Sequence, residues 1–165
     1  TEEQNMMKDA VIEFNDREII AHKARFEAKD FAFTEEVMEK AGELGFLGVA
    51  VPEAYGGLEM GFVSTLLVCD YISSGTGSFS TAFGAHTGIG TLPILYFGTE
   101  EQKKKYLPGL GSGELKAPYC LTEPSSGSDA LAANKSNMPA ARLLVFCSAA
   151  LTASSILANN VARTS

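Results

Sequence analysis

The sequence predicts a mainly α protein, an all-helical domain leading into the start of a β-domain. Three observations predict it. From residue 2 to about residue 107, apolar side chains recur every three or four positions with polar ones between, the period of helices that each bury one face. Helix start signals punctuate the same region, most plainly the capping box Thr99-Glu100-Glu101-Gln102. Residues 119–130 then break the pattern. Tyr119 and Leu121 alternate with Cys120 and Thr122 as in a short strand, and Pro124 ends it ahead of a loop of Ser125, Ser126, Gly127, Ser128 and Asp129.

Residues 2–30 read as one or two helices, with Met7, Val11, Phe14, Ile19, Ile20 and Phe26 as the apolar set and Asn15-Asp16 as a point where the segment can bend. His22, among Ala21, Lys23 and Arg25, has the setting of a structural or solvated histidine. A second helix is expected over 35–44. Thr34 is its candidate cap, Val37, Met38, Ala41 and Leu44 form its stripe, and Gly45 ends it in a left-handed conformation. The apolar run 46–51 leads to Pro52 and Gly56-Gly57, which force an ordered loop.

A third helix is expected over 62–73, with Val63, Leu66, Leu67 and Tyr71 inward, and a fourth over 78–96. The fourth is built from small residues (Ser80, Thr81, Ala82, Gly84, Ala85, Gly88, Gly90), which lower helix propensity and imply close approach by another helix or a bound chain. Phe79, Phe83, Ile89 and Leu92 on it are candidate pocket or core residues. His86 lies there too, and a catalytic histidine needs a partner that sequence does not reveal. The capping box opens a fifth helix over 100–107, which Pro108, Gly109, Gly111 and Gly113 are expected to unwind into a strand over 116–122. The resulting division is 1–113 helical domain, 114–136 start of a β-domain, and 137–165 an atypical tail.

That tail holds no acidic residue, and 143–158 is apolar but interrupted by Ser and Thr. It is shorter than the roughly 20 residues a membrane span needs, so no span is expected. From about Asn137 the chain reads as a truncated or out-of-frame product.

At 165 residues, with 45% apolar residues and no tryptophan, the chain can bury a real core. A formal charge of −7 argues against nucleic acid and anionic membrane surfaces as partners, since both attract cationic patches. Lys103-Lys104-Lys105 is the one basic run, and it reads as a solvated helix face. Cys69, Cys120 and Cys147 are widely spaced and fit neither a zinc site nor a disulfide framework, which favours a reducing compartment and no metal. The N-terminus is acidic and polar, without signal or transit character.

Residues 119–130, Tyr-Cys-Leu-Thr-Glu-Pro-Ser-Ser-Gly-Ser-Asp-Ala, can be an ordinary strand-to-turn exit or a ligand loop whose small side chains let backbone amides approach a heterocycle or phosphate. The segment resembles the flavin-contacting pattern Tyr-x-x-Thr-Glu-Pro-x-x-Gly-Ser-Asp of the acyl-CoA dehydrogenase family. The resemblance extends over residues 3–134. It includes Leu44-Gly45-Phe46-Leu47-Gly48, Val51-Pro52-Glu53-Ala54-Tyr55-Gly56-Gly57-Leu58 and Gly98-Thr99-Glu100-Glu101-Gln102-Lys103-Lys104-Lys105-Tyr106-Leu107-Pro108.

The resemblance implies the N-terminal all-helical domain of that fold and an FAD enzyme that introduces an α,β double bond into an acyl-CoA thioester. Tyr119, Leu121 and Thr122 would contact the flavin ring, with backbone groups from Leu121 and a hydroxyl from Thr122. Gly127 and Ser128 would form the turn toward its diphosphate or ribityl region, with Ser128 also near the coenzyme A moiety. Phe83 and Leu92 would help wall the acyl pocket. The family's catalytic base lies in a C-terminal domain not matched here, so no catalytic residue is assigned, and Glu123 and Asp129 are left to local hydrogen bonding. Ser125 stands where the family often has Gly.

The implied partners are acyl-CoA, an electron-transfer flavoprotein and further copies in a dimer or tetramer, in the cytoplasm or, in a eukaryote, the mitochondrial matrix. This chain alone is expected to be nearly inactive. The alternatives are a catalytically inactive helical interaction module derived from that fold, and another chemistry on it, such as an acyl-CoA oxidase or nitroalkane oxidase.

Overall fold

The computed structural model describes residues 1–118, so the expected flavin segment and the tail lie outside the described residues. Seven α-helices occur among the described residues: α1 (Glu2–Phe14), α2 (Lys23–Glu27), α3 (Phe31–Glu43), α4 (Phe62–Ser73), α5 (Gly77–Gly84), α6 (Leu92–Phe97) and α7 (Glu100–Ser112). No strand occurs among them. The mainly α expectation holds, and Lys116 to Pro118, expected to open a strand, form an irregular connector.

α1 starts on a capping box in which the Thr1 hydroxyl accepts from the Gln4 amide and Gln4 reaches back to the Thr1 nitrogen. At the expected bend the chain makes a π-helical turn, Asn15–Ile19, followed by a 3₁₀ turn, Ile20–His22. The wider turn keeps Val11, Phe14 and Ile19 in the core but leaves Ile20 exposed, against expectation. Asn15 is buried, and its Nδ2 donates to Ser74 Oγ at 3.0 Å. His22 is solvent-exposed, its ring edge-on to Phe33.

α3 begins four residues earlier than the sequence reading places it. Its cap is Asp30, not Thr34: Asp30 Oδ1 accepts the Phe33 amide at 3.1 Å, while Arg25 Nη2 donates to Asp30 Oδ2 at 2.7 Å. Thr34 instead returns its hydroxyl to the Asp30 carbonyl. The helix ends as expected on Gly45 at φ +80°, and Val37, Met38 and Ala41 are buried, but Leu44 is exposed.

The chain then folds the loop 52–60 back over the buried run before it. Leu58, Glu59 and Met60 donate their amides to the carbonyls of Gly48, Val51 and Val49. Gly57 is required there, because a Cβ on it would fall 1.9 Å from the Val51 oxygen. Tyr55 clasps this loop to the start of α7 by donating its phenol to Glu100 at 2.7 Å.

α4 and α5 pack against each other across a short link that ends at Thr76, whose hydroxyl caps α5 by accepting the Phe79 amide. α4 buries Ser64, Val68 and Ile72, so Val63 and Leu66 point to solvent where the sequence reading placed them inward. Helix α7 overrides another expectation. It continues through Pro108 to Ser112, because Leu107 and Leu110 are both fully buried and hold the turn in place, and Gly113 ends it at φ +80°.

Candidate functional site

α5 does not run straight into α6. Between them lies a π-helical turn, Ala85–Thr91, carrying His86, Gly88 and Gly90. The extra residue of a π-turn re-aims side chains within an otherwise regular helix, and such turns concentrate at functional sites. Here it turns His86 and Thr91 inward, both buried, while Ile89 is left exposed.

Small residues on this helix imply a close neighbour, and the structure supplies one at a single glycine. Gly84 and Gly88 face open space. Gly90 lies against Ala117 of the connector, where a Cβ would come 2.3 Å from the Ala117 Cβ. The neighbour is therefore the outgoing chain and not another helix.

His86 reaches two backbones distant in sequence. Its Nε2 lies 2.9 Å from the Leu110 carbonyl oxygen, and its Nδ1 accepts the Ala117 amide at 3.2 Å. Burial holds its proton affinity below the ordinary value of 6.5, against the Leu110 carbonyl, which acts the other way; the nearby Lys116 ammonium adds to the depression. No carboxylate or nucleophile pairs with it in these contacts, so its role is to join elements.

Between α4, the buried run 46–51 and the α5–π-turn segment lies a cavity of about 10 Å³, room for about one water. Thr65, Cys69, Phe83, Thr87 and Thr91 contribute to its lining. The Thr65 hydroxyl is buried and has no hydrogen-bond partner. Thr87 and Thr91 instead bond back to the Phe83 and His86 carbonyls. Burial pushes the Cys69 thiol upward, so it is a poor nucleophile.

Phe83, expected as a pocket residue, is buried beside Phe79 and forms part of this cavity's wall. Leu92 is half-buried at the first position of α6. Tyr119, Leu121, Thr122, Gly127 and Ser128 lie outside the described residues. Sequence reading named His86 and Gly90 but not what they touch, and it missed Thr65 and Thr91, because a hydroxyl on a helix carries no signal of its burial. No cluster of three metal-ligating side chains occurs among the described residues, and none of their helices is long and apolar enough to cross a membrane.

Residues 1–114 match the family model for the acyl-CoA dehydrogenase N-terminal domain. The chain belongs to the acyl-CoA dehydrogenase family. Over 133 residues it is 50% identical to a probable acyl-CoA dehydrogenase of Bacillus subtilis, covering 81% of this chain and 22% of that protein. It is 35% identical to the mitochondrial isovaleryl-CoA dehydrogenase of Solanum tuberosum, covering 76% of this chain and 31% of the relative. Among solved structures it is similar to the acyl-CoA dehydrogenase of Bacillus anthracis complexed with FAD. That match has a TM-score of 0.76 at 45% identity and covers 80% of this chain and 22% of the other. The chain thus spans between about a fifth and a third of the length of these acyl-CoA dehydrogenases.

Proposed function

We propose that this chain is the helical N-terminal domain, residues 1–113, and the first flavin-contacting stretch, residues 114–136, of an FAD-dependent acyl-CoA dehydrogenase. The observation that carries the reading is the unbroken Tyr-x-x-Thr-Glu-Pro-x-x-Gly-Ser-Asp pattern at 119–129, joined to a domain of this family. Its donor set suits a flavin. Thr122 and Ser128 bring hydroxyls, Leu121 brings backbone groups, Gly127 brings backbone groups without bulk, and Tyr119 brings an aromatic face. Bound FAD would supply a hydride acceptor. The chain's own part would be to orient the ring through Tyr119, Leu121 and Thr122, to cradle its polar tail at Gly127 and Ser128, and to place Ser128 near coenzyme A. Leu92, half-buried on α6, and Phe83, buried on α5, would help wall the acyl pocket.

The substrate is an acyl-CoA thioester and the electron acceptor an electron-transfer flavoprotein, in an assembly of two or four copies. These belong to the longer protein, whose catalytic base lies in a C-terminal domain. The alternative is a helical interaction module without flavin. Equilibrium dialysis of the purified chain against FAD separates the two readings. Weak, saturable binding that is lost in the double variant Thr122→Ala, Ser128→Ala supports the flavin reading. No binding, or binding indifferent to that variant, favours the module.

A further inference from the structure

His86 and Gly90 sit on one π-helical turn, and both meet Ala117. Because Nδ1 accepts the Ala117 amide, the ring's proton must be on Nε2, which donates it to the Leu110 carbonyl. The imidazole therefore bridges the π-turn to the end of α7 and to the outgoing connector at once. Gly90 acts by absence: a Cβ there would meet not only the Ala117 Cβ but also the Ala117 oxygen, at 2.7 Å. Ala117 is itself buried in this seat, and Tyr119 follows two residues on.

We propose that His86 and Gly90 are positioning residues for the flavin-contacting segment: together they fix where and in what direction the chain leaves the helical domain, and the His86 half of the hold requires a neutral ring. The consequence for flavin rests on the function proposed above; the hold on the connector does not. A protonated imidazole has no acceptor, so it would present an N–H to the Ala117 N–H and the bond would be lost. From the α7 side the ring faces the Leu110 carbonyl, and on its own turn the Thr91 hydroxyl is spent on the His86 carbonyl. From the connector comes the Lys116 ammonium, itself paired with Glu39 of α3 at 2.7 Å. No facing carboxylate in this set would stabilise a charged ring, so burial keeps it neutral.

The test follows backbone amide exchange by NMR in the full 165-residue chain, between about pH 8 and about pH 5, across the histidine range. It compares the natural sequence with His86→Phe and Gly90→Ala. The Ala117 amide should be protected at neutral pH and lose about tenfold in protection as the solution is acidified, the size expected for one ordinary hydrogen bond. Amides of Val68 and Ile72 in α4 should hold their protection. In His86→Phe the Ala117 protection should be low at every pH. If that variant does not fold, the pH series on the natural chain decides. An Ala117 amide unprotected at neutral pH, or as well protected in a folded His86→Phe variant as in the natural chain, overturns the proposal.

Adding FAD distinguishes this idea from the one beneath it. Shifts at 119–128 that weaken in both variants support positioning. Equal shifts in all three proteins overturn positioning and leave the flavin reading standing. No FAD shifts anywhere, with Ala117 still answering to His86, supports the hold on the connector and overturns the flavin reading.

Discussion

Gly42 of α3 lies so close to Ser112 of α7 that a Cβ placed on it would sit 2.0 Å from the Ser112 carbonyl oxygen. The two helices meet backbone to backbone there. Lys116, just beyond α7, is tied back to Glu39 on α3. This crossing sets the direction of α7, and with it the Leu110 carbonyl and the connector that His86 holds.

The crossing predicts the sign of Gly42→Ala. In a helix interior that change gains up to about 1 kcal/mol of propensity. Here the added methyl must displace backbone, with the Ser112 carbon at 2.4 Å and the Gly113 nitrogen at 2.9 Å as well, so no side-chain rotation relieves it. Overpacking of this kind costs about 3 kcal/mol, which outweighs the propensity gain. Urea unfolding of the variant should show a clear loss of stability, and an unchanged or raised midpoint would refute the close crossing.

Much of this architecture is legible in the sequence, and the failures share a cause. The capping box at Thr99 and the left-handed Gly45 are local signals, and both hold. The start of α3 is not local, because Asp30 becomes the cap only once Arg25 folds back onto it and Lys29 adopts φ +59°. In α4 the apolar residues run nearly all the way round, so spacing could not choose between Leu66 and Val68 as the inward side chain. Pro108 looks like a terminator until the burial of Leu107 and Leu110 is known. His86 was visible as a residue, but its partners lie 24 and 31 residues away and no pattern announces them.

Stability should fall with acid in two separate windows. As pH drops below about 6.5, the unfolded chain takes up a proton at His86 before the buried ring does, so protons favour unfolding. The His86 contribution is therefore complete above that value and is lost as pH falls toward the ring's depressed native value. Glu18, held below the usual carboxylate range first by the hydrogen bond from Lys40 and then by that from Arg17, keeps its contribution above about 4.5 and loses it only on further acidification. Chemical unfolding at a series of pH values should resolve the upper window in the natural chain and abolish it in a folded His86 variant. A flat profile between about pH 7 and about pH 5 would contradict the buried neutral histidine.

The unpartnered Thr65 hydroxyl makes a different prediction. A buried polar group without a hydrogen bond is a net liability, and Val has nearly the same shape. Thr65→Val should leave the helix packing intact and raise stability by about 1 kcal/mol, read as a higher thermal midpoint. A loss of stability would mean that the hydroxyl has a partner, such as a water in the adjoining cavity of about 10 Å³.

The family assignment leads to the most direct test. In the Bacillus anthracis acyl-CoA dehydrogenase that is complexed with FAD, the matching stretch can be replaced by residues 1–133 of this chain. The flavin content of the folded chimera is then measured, together with bleaching of its visible absorbance on anaerobic addition of acyl-CoA. The account predicts a yellow protein carrying about one FAD per chain that bleaches with substrate, as a preformed cofactor site would. A chimera that folds with native helical content yet stays colourless in excess FAD would contradict it.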